Sequence, residues 1–219
     1  MTPPDRSSDA PDTASDLSGF EVVVAVCGGI AAYKTATLVS SLVQRGAGVS
    51  VVMTSAAQRF ITPLTFESLT GRPVITSLWE ATETHDPQHL RLSEAADLLV
   101  IAPATANMIG KIAGGIADDL VSTLVMSATG PVLLAPAMNT RMWENPIVRE
   151  NLQSLKDRGY AEVPPEAGWL ACRTIGVGRM AEPATILDAV VAQLRNVETS
   201  KRRNRNVKTS KSQNVKKSK

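Results

Sequence analysis

The stretch EVVVAVCGGIAAYKTATLVSSLVQRG, residues 21–46, decides the architecture. Its first six residues are an apolar run rich in valine, the composition of a strand buried on both faces. Cys27-Gly28-Gly29 interrupts that run. Beyond it, Ile30, Leu38 and Leu42 recur at helical spacing until Gly46, a residue suited to a helix C-terminus. A continuously apolar strand, a glycine turn and an amphipathic helix are the opening of a βαβ unit.

The same alternation continues outward. VSVVMT (49–54) reads as the second strand. A helix is expected from about Ser55, with a short one in ITPLTFESLTG (61–71). ADLLVIAP (96–103) is a third strand, followed by one long helix over 107–128. GPVLLAPAM (130–138) is a fourth strand, NPIVRENLQSLKDRG (145–159) an amphipathic helix, and YAEVP (160–164) a short last strand. EPATILDAVVAQLRN (182–196) closes the pattern, with Pro183 in its first turn. About five strands alternating with helices imply a three-layer α/β/α single domain with a Rossmann-like or flavodoxin-like parallel sheet. The expected organisation is a disordered leader over 1–19, a domain over 20–196 and a basic disordered tail over 197–219.

The composition fits one sizeable core: 219 residues, 43% of them hydrophobic. No run of about eighteen apolar residues is present, which argues against a transmembrane helix. MTPPDRSSDAPDTASDLSG (1–19) has no apolar segment of the kind a secretory signal needs. The net charge of +2 hides an asymmetry. KRRNRNVKTSKSQNVKKSK (201–219) holds nine Lys/Arg and no acid, leaving 14 Lys/Arg against 21 Asp/Glu elsewhere, a net of −7. Such a tail suits RNA, a membrane surface or an acidic partner, but a solvated disordered extension is the expected reading; with no aromatic residue to stack on bases, nucleic acid is not the expected partner. The two cysteines, Cys27 and Cys172, form no CxxC and no Cys/His cluster. That argues against a disulfide scaffold or a metal site and fits a reducing cytoplasm.

In open parallel sheets, ligands lie beyond the carboxyl ends of the strands. After the first strand, Gly28 and Gly29 open a helix whose free N–H groups suit a phosphate, although a tight packing turn explains them equally well. The GxGxxG fingerprint is absent, and no acid ends the second strand, so a mononucleotide fits better than NAD. Thr54 and Ser55 bind a phosphate or cap the next helix. PATAN (103–107) carries the same ambiguity. His89 lies in a short helix before the third strand, where a lone histidine reads as a surface or capping residue; the other histidine is His85. Cys172 lies in PPEAGWLACRTIGVGRMAEP (164–183), a long Pro/Gly-rich loop. It is either an acid or nucleophile on a lid or a thiol packed under a loop.

With these loops in place, GGIAAYK, TSAAQRFITPL, ADLLVIAPATANMIGKIAGGIADDL, PAMNTRMW and ACRTIGVGRMAEP together resemble the homo-oligomeric flavin-containing cysteine decarboxylases, from about Phe20 to Leu194. Within that family the motifs are most similar to members acting on 4'-phosphopantothenoylcysteine, giving 4'-phosphopantetheine for coenzyme A. The resemblance implies FMN held by Gly28, Gly29, Ile30, Thr54, Ser55, Thr105, Ala106, Asn107 and Ala137. It implies His89 as catalytic base, Asn139 as the grip on the substrate carboxylate, Cys172 as the proton donor of a flap, and trimers or dodecamers with the site between subunits. A cysteinyl carboxylate has no electron sink. Oxidising the thiol-bearing carbon to a thioaldehyde creates one, and decarboxylation then leaves an enethiolate that must be reduced and protonated.

Two departures stand out. Relatives usually carry Ser where Cys27 stands, and a thiol is a poorer phosphate donor. They also tend to have CGDxGxGRM where this chain has CRTIGVGRM, so Arg173 and Thr174 replace a Gly-Asp pair beside Cys172. Many bacterial relatives continue into a ligase domain; with only a basic tail here, decarboxylation alone is expected. The alternatives are a peptidyl-cysteine decarboxylase, a flavin prenyltransferase, which lacks the PAMN arrangement, and a non-catalytic FMN-binding regulator, against which the presence of His89 speaks.

Overall fold

The computed structural model describes residues 16–79 and 88–216, with positions 88, 89, 202 and 204–216 described by their backbone alone. Five strands form one parallel sheet in the order β2-β1-β3-β4-β5: β1 (Glu21–Val26), β2 (Gly48–Met53), β3 (Leu98–Ala104), β4 (Val132–Pro136) and β5 (Ala161–Glu162). The chain steps from β1 outward to β2, then returns to the other side of β1 for β3. The loops leaving β1 and β3 therefore diverge, and a crevice opens between them.

Side-chain alternation divides the sheet between two cores. Val22, Val24 and Val26 pack with Leu38 and Leu42 of α1 (Ala32–Gln44), Phe66 of α2 (Pro63–Thr70) and Ile186, Val190 and Leu194 of the last helix. Val23, Ala25 and Cys27 face the other way. They pack with Met108 and Ile112 of α4 (Ala106–Ala113), Leu124 of α5 (Leu120–Ser127) and Leu155 of α7 (Pro146–Asp157). Each fully buried Val or Leu of β1–β4 contributes roughly 1.5–3 kcal/mol from burial, so a sheet covered on both sides is strongly favoured. α3 (Gln88–Ala95) precedes β3, and the short α6 (Thr140–Trp143) follows β4. Gly46 takes a left-handed φ of 85°, as a C-terminal helix stop requires.

Four boundaries differ from the sequence pattern. The single helix expected over 107–128 is two helices. Gly114 and Gly115 (φ 70°) end α4, and Asp119 starts α5 through a capping box with Ser122. The helix expected near Ser55 is a short 3-10 turn, Ala57–Arg59. The segment expected as a loop over 164–183 contains an antiparallel hairpin, β6 (Glu166–Trp169) and β7 (Ile175–Arg179). The final helix, α8 (Pro183–Lys216), runs through most of the segment expected as a disordered tail. No Gly or Pro follows Pro183, and Lys and Arg are good helix formers.

Of the expected leader, residues 1–15 lie outside the described residues. Residues 16–19 form a turn that puts Leu17 in the core at 2% exposure, with its N–H donating to Arg45 O at 3.0 Å. Arg45 also pairs with Asp16 and holds that carboxyl below its usual range. No helix among the described residues is long and apolar enough to cross a membrane.

Candidate active site

The loops beyond β1, β2, β3 and β4, together with the β6–β7 hairpin, surround one cleft of about 1080 Å³. Gly28, Gly29, Ile30, Thr54, Ser55, Thr105, Ala106, Asn107, Ala137, Asn139 and Cys172 all line it. Thus eleven residues singled out in the sequence, scattered over 145 positions of chain, meet at the crevice the topology creates.

The loop after β1 forms one wall. A Cβ on Gly28 would lie 2.4 Å from Ala56 Cβ and 2.9 Å from its carbonyl carbon, so glycine is what lets the β1 and β2 loops touch. Gly28→Ala is therefore expected to force these loops apart and to cost about 1–3 kcal/mol of stability, measured by denaturant unfolding. Unchanged stability would mean that the loops yield freely. Beyond Gly28, the backbone N–H groups of Gly29, Ile30 and Ala31 have no acceptor among the described residues. α1 has no side-chain cap, whereas α4, α5, α6 and α7 are capped by Thr105, Asp119, Asn139 and Asn145. An uncapped N-terminus with free amides and the positive end of the helix dipole suits an anion.

The ambiguity at the next two loops resolves by residue. Thr54 Oγ1 accepts from Ala57 N at 3.1 Å, and Thr105 Oγ1 accepts from Met108 N at 3.3 Å, so both hydroxyls cap turns. Ser55 is exposed, and its hydroxyl has no protein partner among the described residues. Cys27 is 1% exposed, and burial pushes its thiol up to about 12. It behaves as a small apolar side chain on the cleft floor.

After β4, Asn139 Oδ1 accepts from Met142 N at 3.0 Å as the cap of α6. That bond fixes the amide and leaves Nδ2 without a protein acceptor among the described residues. Trp143 is a packed corner, buried with the Arg149 guanidinium 4.5 Å above its ring, whereas Met142 lines the cleft.

The hairpin lies against this turn. Met138 N donates to Gly178 O at 2.9 Å. A Cβ on Gly178 would sit 2.3 Å from Met138 O, and one on Gly176 would sit 2.2 Å from Thr140 Oγ1. The tip carries Cys172, exposed, with Sγ 3.1 Å from Thr174 Oγ1. The Thr174 hydroxyl and, more weakly, the Arg141 charge hold the thiol below its usual range. Arg173 adopts a left-handed φ of 64°, a conformation that favours glycine. Arg173→Gly is expected to stabilise the protein by about 1 kcal/mol, read as a raised unfolding midpoint. No gain would mean that the arginine side chain offsets the strain.

Sequence reasoning passed over the charged residues of the cleft. Lys34, buried, donates to Glu182 Oε1 at 2.9 Å and to Met180 O at 3.4 Å, and it holds the Glu182 carboxyl below its usual range. Arg179 joins Glu166 at 3.0 Å and Glu182 at 3.2 Å, fastening the base of the hairpin. Lys111 pairs with Asp118 and Asp119, which raises its own pKa. Lys34 falls one turn after Ile30, so its place on the cleft edge was open to a helical-spacing argument. His89 has its backbone in the first turn of α3; the position of its imidazole, and all of His85, lie outside the described residues. No cluster of three or more potential metal ligands occurs among the described residues.

Comparison with known proteins agrees with this geometry. The profile of the family described as Flavoprotein matches residues 12–195. The coenzyme A biosynthesis bifunctional protein CoaBC of Bacillus subtilis (strain 168) is 45% identical over 171 residues, 78% of this chain and 42% of that protein. The chain thus spans less than half the length of that relative. A solved structure of a Cys-to-Ser variant of PPC decarboxylase, complexed with pantothenoylaminoethenethiol, is 35% identical and superimposes with a TM-score of 0.71 over 78% of this chain and 96% of that one. The FMN-dependent cysteine decarboxylase SpaF is 30% identical, with a TM-score of 0.73 over 83% of this chain and 99% of that one. The chain belongs to the Flavoprotein family and, within it, to the flavin-containing cysteine decarboxylases.

Proposed function

We propose that this protein binds FMN and decarboxylates 4'-phosphopantothenoylcysteine to 4'-phosphopantetheine, a carboxy-lyase step of coenzyme A biosynthesis. The observation that carries the reading is the meeting of the β1, β2, β3 and β4 loops with the Cys172 hairpin in one cleft. Its donor set fits FMN. The amides of Gly29, Ile30 and Ala31 and the Ser55 hydroxyl, all without protein acceptors among the described residues, would receive the phosphate. Thr54, Thr105, Ala106, Asn107 and Ala137 would flank the rest. Bound there, FMN supplies reversible two-electron chemistry.

The chain's own groups supply the remainder. Asn139, its Oδ1 engaged with Met142, would direct Nδ2 to the substrate carboxylate. A neutral amide suits this task, since a cation would stabilise the very charge that disappears as CO2 leaves. Cys172 would return a proton to carbon. It must be protonated to do so, and its pKa is lowered, so donation is lost as pH rises through that value. His89 would be the base. A homotrimer or homododecamer fits the exposure of Ile30 (59%) and Tyr33 (60%) at the mouth of the cleft. The exposed thiol of Cys172 suits a reducing cytoplasm.

The test is substrate choice. The purified, FMN-loaded protein is given phosphopantothenoylcysteine and, separately, a peptide ending in cysteine, and CO2 is followed. Release from the first alone is expected. Release from the peptide alone would replace this reading with that of a peptidyl-cysteine decarboxylase.

A further inference from the structure

We propose that Thr174 is a positioning residue for Cys172: its hydroxyl holds the thiol at the tip of the hairpin and sets the pH at which the sulfur releases its proton. The inference rests on the reading of Cys172 as proton donor, but its test does not depend on turnover. Thr174 Oγ1 lies 3.1 Å from Cys172 Sγ, within reach of a hydrogen bond to sulfur. Two backbone bonds shape the turn around them: Leu170 N donates to Thr174 O at 2.9 Å, and Arg173 N donates to Leu170 O at 2.9 Å. Thr174 is thereby fixed two residues beyond Cys172 on a turn that holds even though Arg173 stands in the left-handed region.

The hydroxyl can donate to a thiolate, which favours the charged form; a thiol at the same place gives its proton more readily. Arg141 of α6 acts in the same direction, and Arg173 is the adjacent cation. The Thr174 hydroxyl thus shifts the donor toward more acidic operation.

The experiment titrates the Cys172 thiolate by ultraviolet absorbance and by the rate of alkylation with iodoacetamide, using the full FMN-loaded chain. Cys27 is silent in both readouts, being buried with its thiol pushed up to about 12, and Cys172→Ser supplies the blank. Thr174→Val removes the donor at nearly constant shape at an exposed position. The thiolate fraction at neutral pH should then fall about fivefold, and the midpoint should move to higher pH. Thr174→Ser should restore the parent titration. An unchanged midpoint in Thr174→Val would overturn the proposal. So would an equal displacement in Thr174→Ser, which would assign the effect to packing of the turn. Absence of CO2 release with the thiolate midpoint displaced as expected would count against the decarboxylase reading and leave the role of Thr174 standing.

Discussion

Asn139→Asp should keep the fold and lose about a thousandfold in kcat/KM. Aspartate is as good a helix cap as asparagine, so the bond from Met142 N that starts α6 survives, and the unfolding midpoint should move little. What disappears is the Nδ2 donor, and what arrives is a negative charge that, in the proposed site, would face the substrate carboxylate. Loss of a hydrogen bond to a charged group costs roughly 1.5–3 kcal/mol, and a like-charge contact adds more. Together about 4 kcal/mol corresponds to three orders of magnitude. Steady-state kinetics with phosphopantothenoylcysteine, alongside thermal unfolding, separate the two roles of the residue. A variant as active as the parent would remove Asn139 from carboxylate binding and leave it as a helix cap.

Cys172→Ser should divide the reaction in two. A serine hydroxyl is far less acidic than this thiol, whose pKa already lies below its ordinary value. CO2 should still be released, but the final protonation should slow by a factor of about 10² to 10⁴, the usual contribution of a positioned acid. The enethiol should accumulate, visible by mass spectrometry and in the ultraviolet. Full conversion to 4'-phosphopantetheine by Cys172→Ser would show that the proton comes from elsewhere.

The parts of this protein that were legible in its sequence are those whose signal is local. Val22–Val26 and Leu98–Ala102 read as strands because residues buried on both faces must be apolar without interruption. The crevice followed from chain order, and the glycines, threonines and asparagines at the strand ends marked where to look. The break between α4 and α5 was harder. Its local signs, Gly114-Gly115 and the Asp119/Ser122 capping box, sit inside a sequence whose apolar spacing otherwise continues.

The β6–β7 hairpin was masked by its own glycines. Gly168, Gly176 and Gly178 read as loop punctuation, yet each lies where a Cβ would strike Arg179, Thr140 or Met138. That information resides in surfaces brought together only by folding. The same holds for the orientation of Asn139: the sequence offers an amide, but only the α6 cap shows which end of it is spent. Long-range charge pairing was equally hidden, since Lys34 finds Glu182 across 148 positions of chain.

Whether this cleft couples a bound flavin to the loss of a cysteinyl carboxylate is decided by one stoichiometric measurement. Purified protein loaded with FMN is mixed with phosphopantothenoylcysteine labelled in its cysteinyl carboxylate, and labelled CO2 is counted against 4'-phosphopantetheine formed. We expect the two in equal amounts over many turnovers, with none from protein stripped of flavin. Flavin-loaded protein that releases no label, or protein that cannot be loaded with FMN, would contradict the claim.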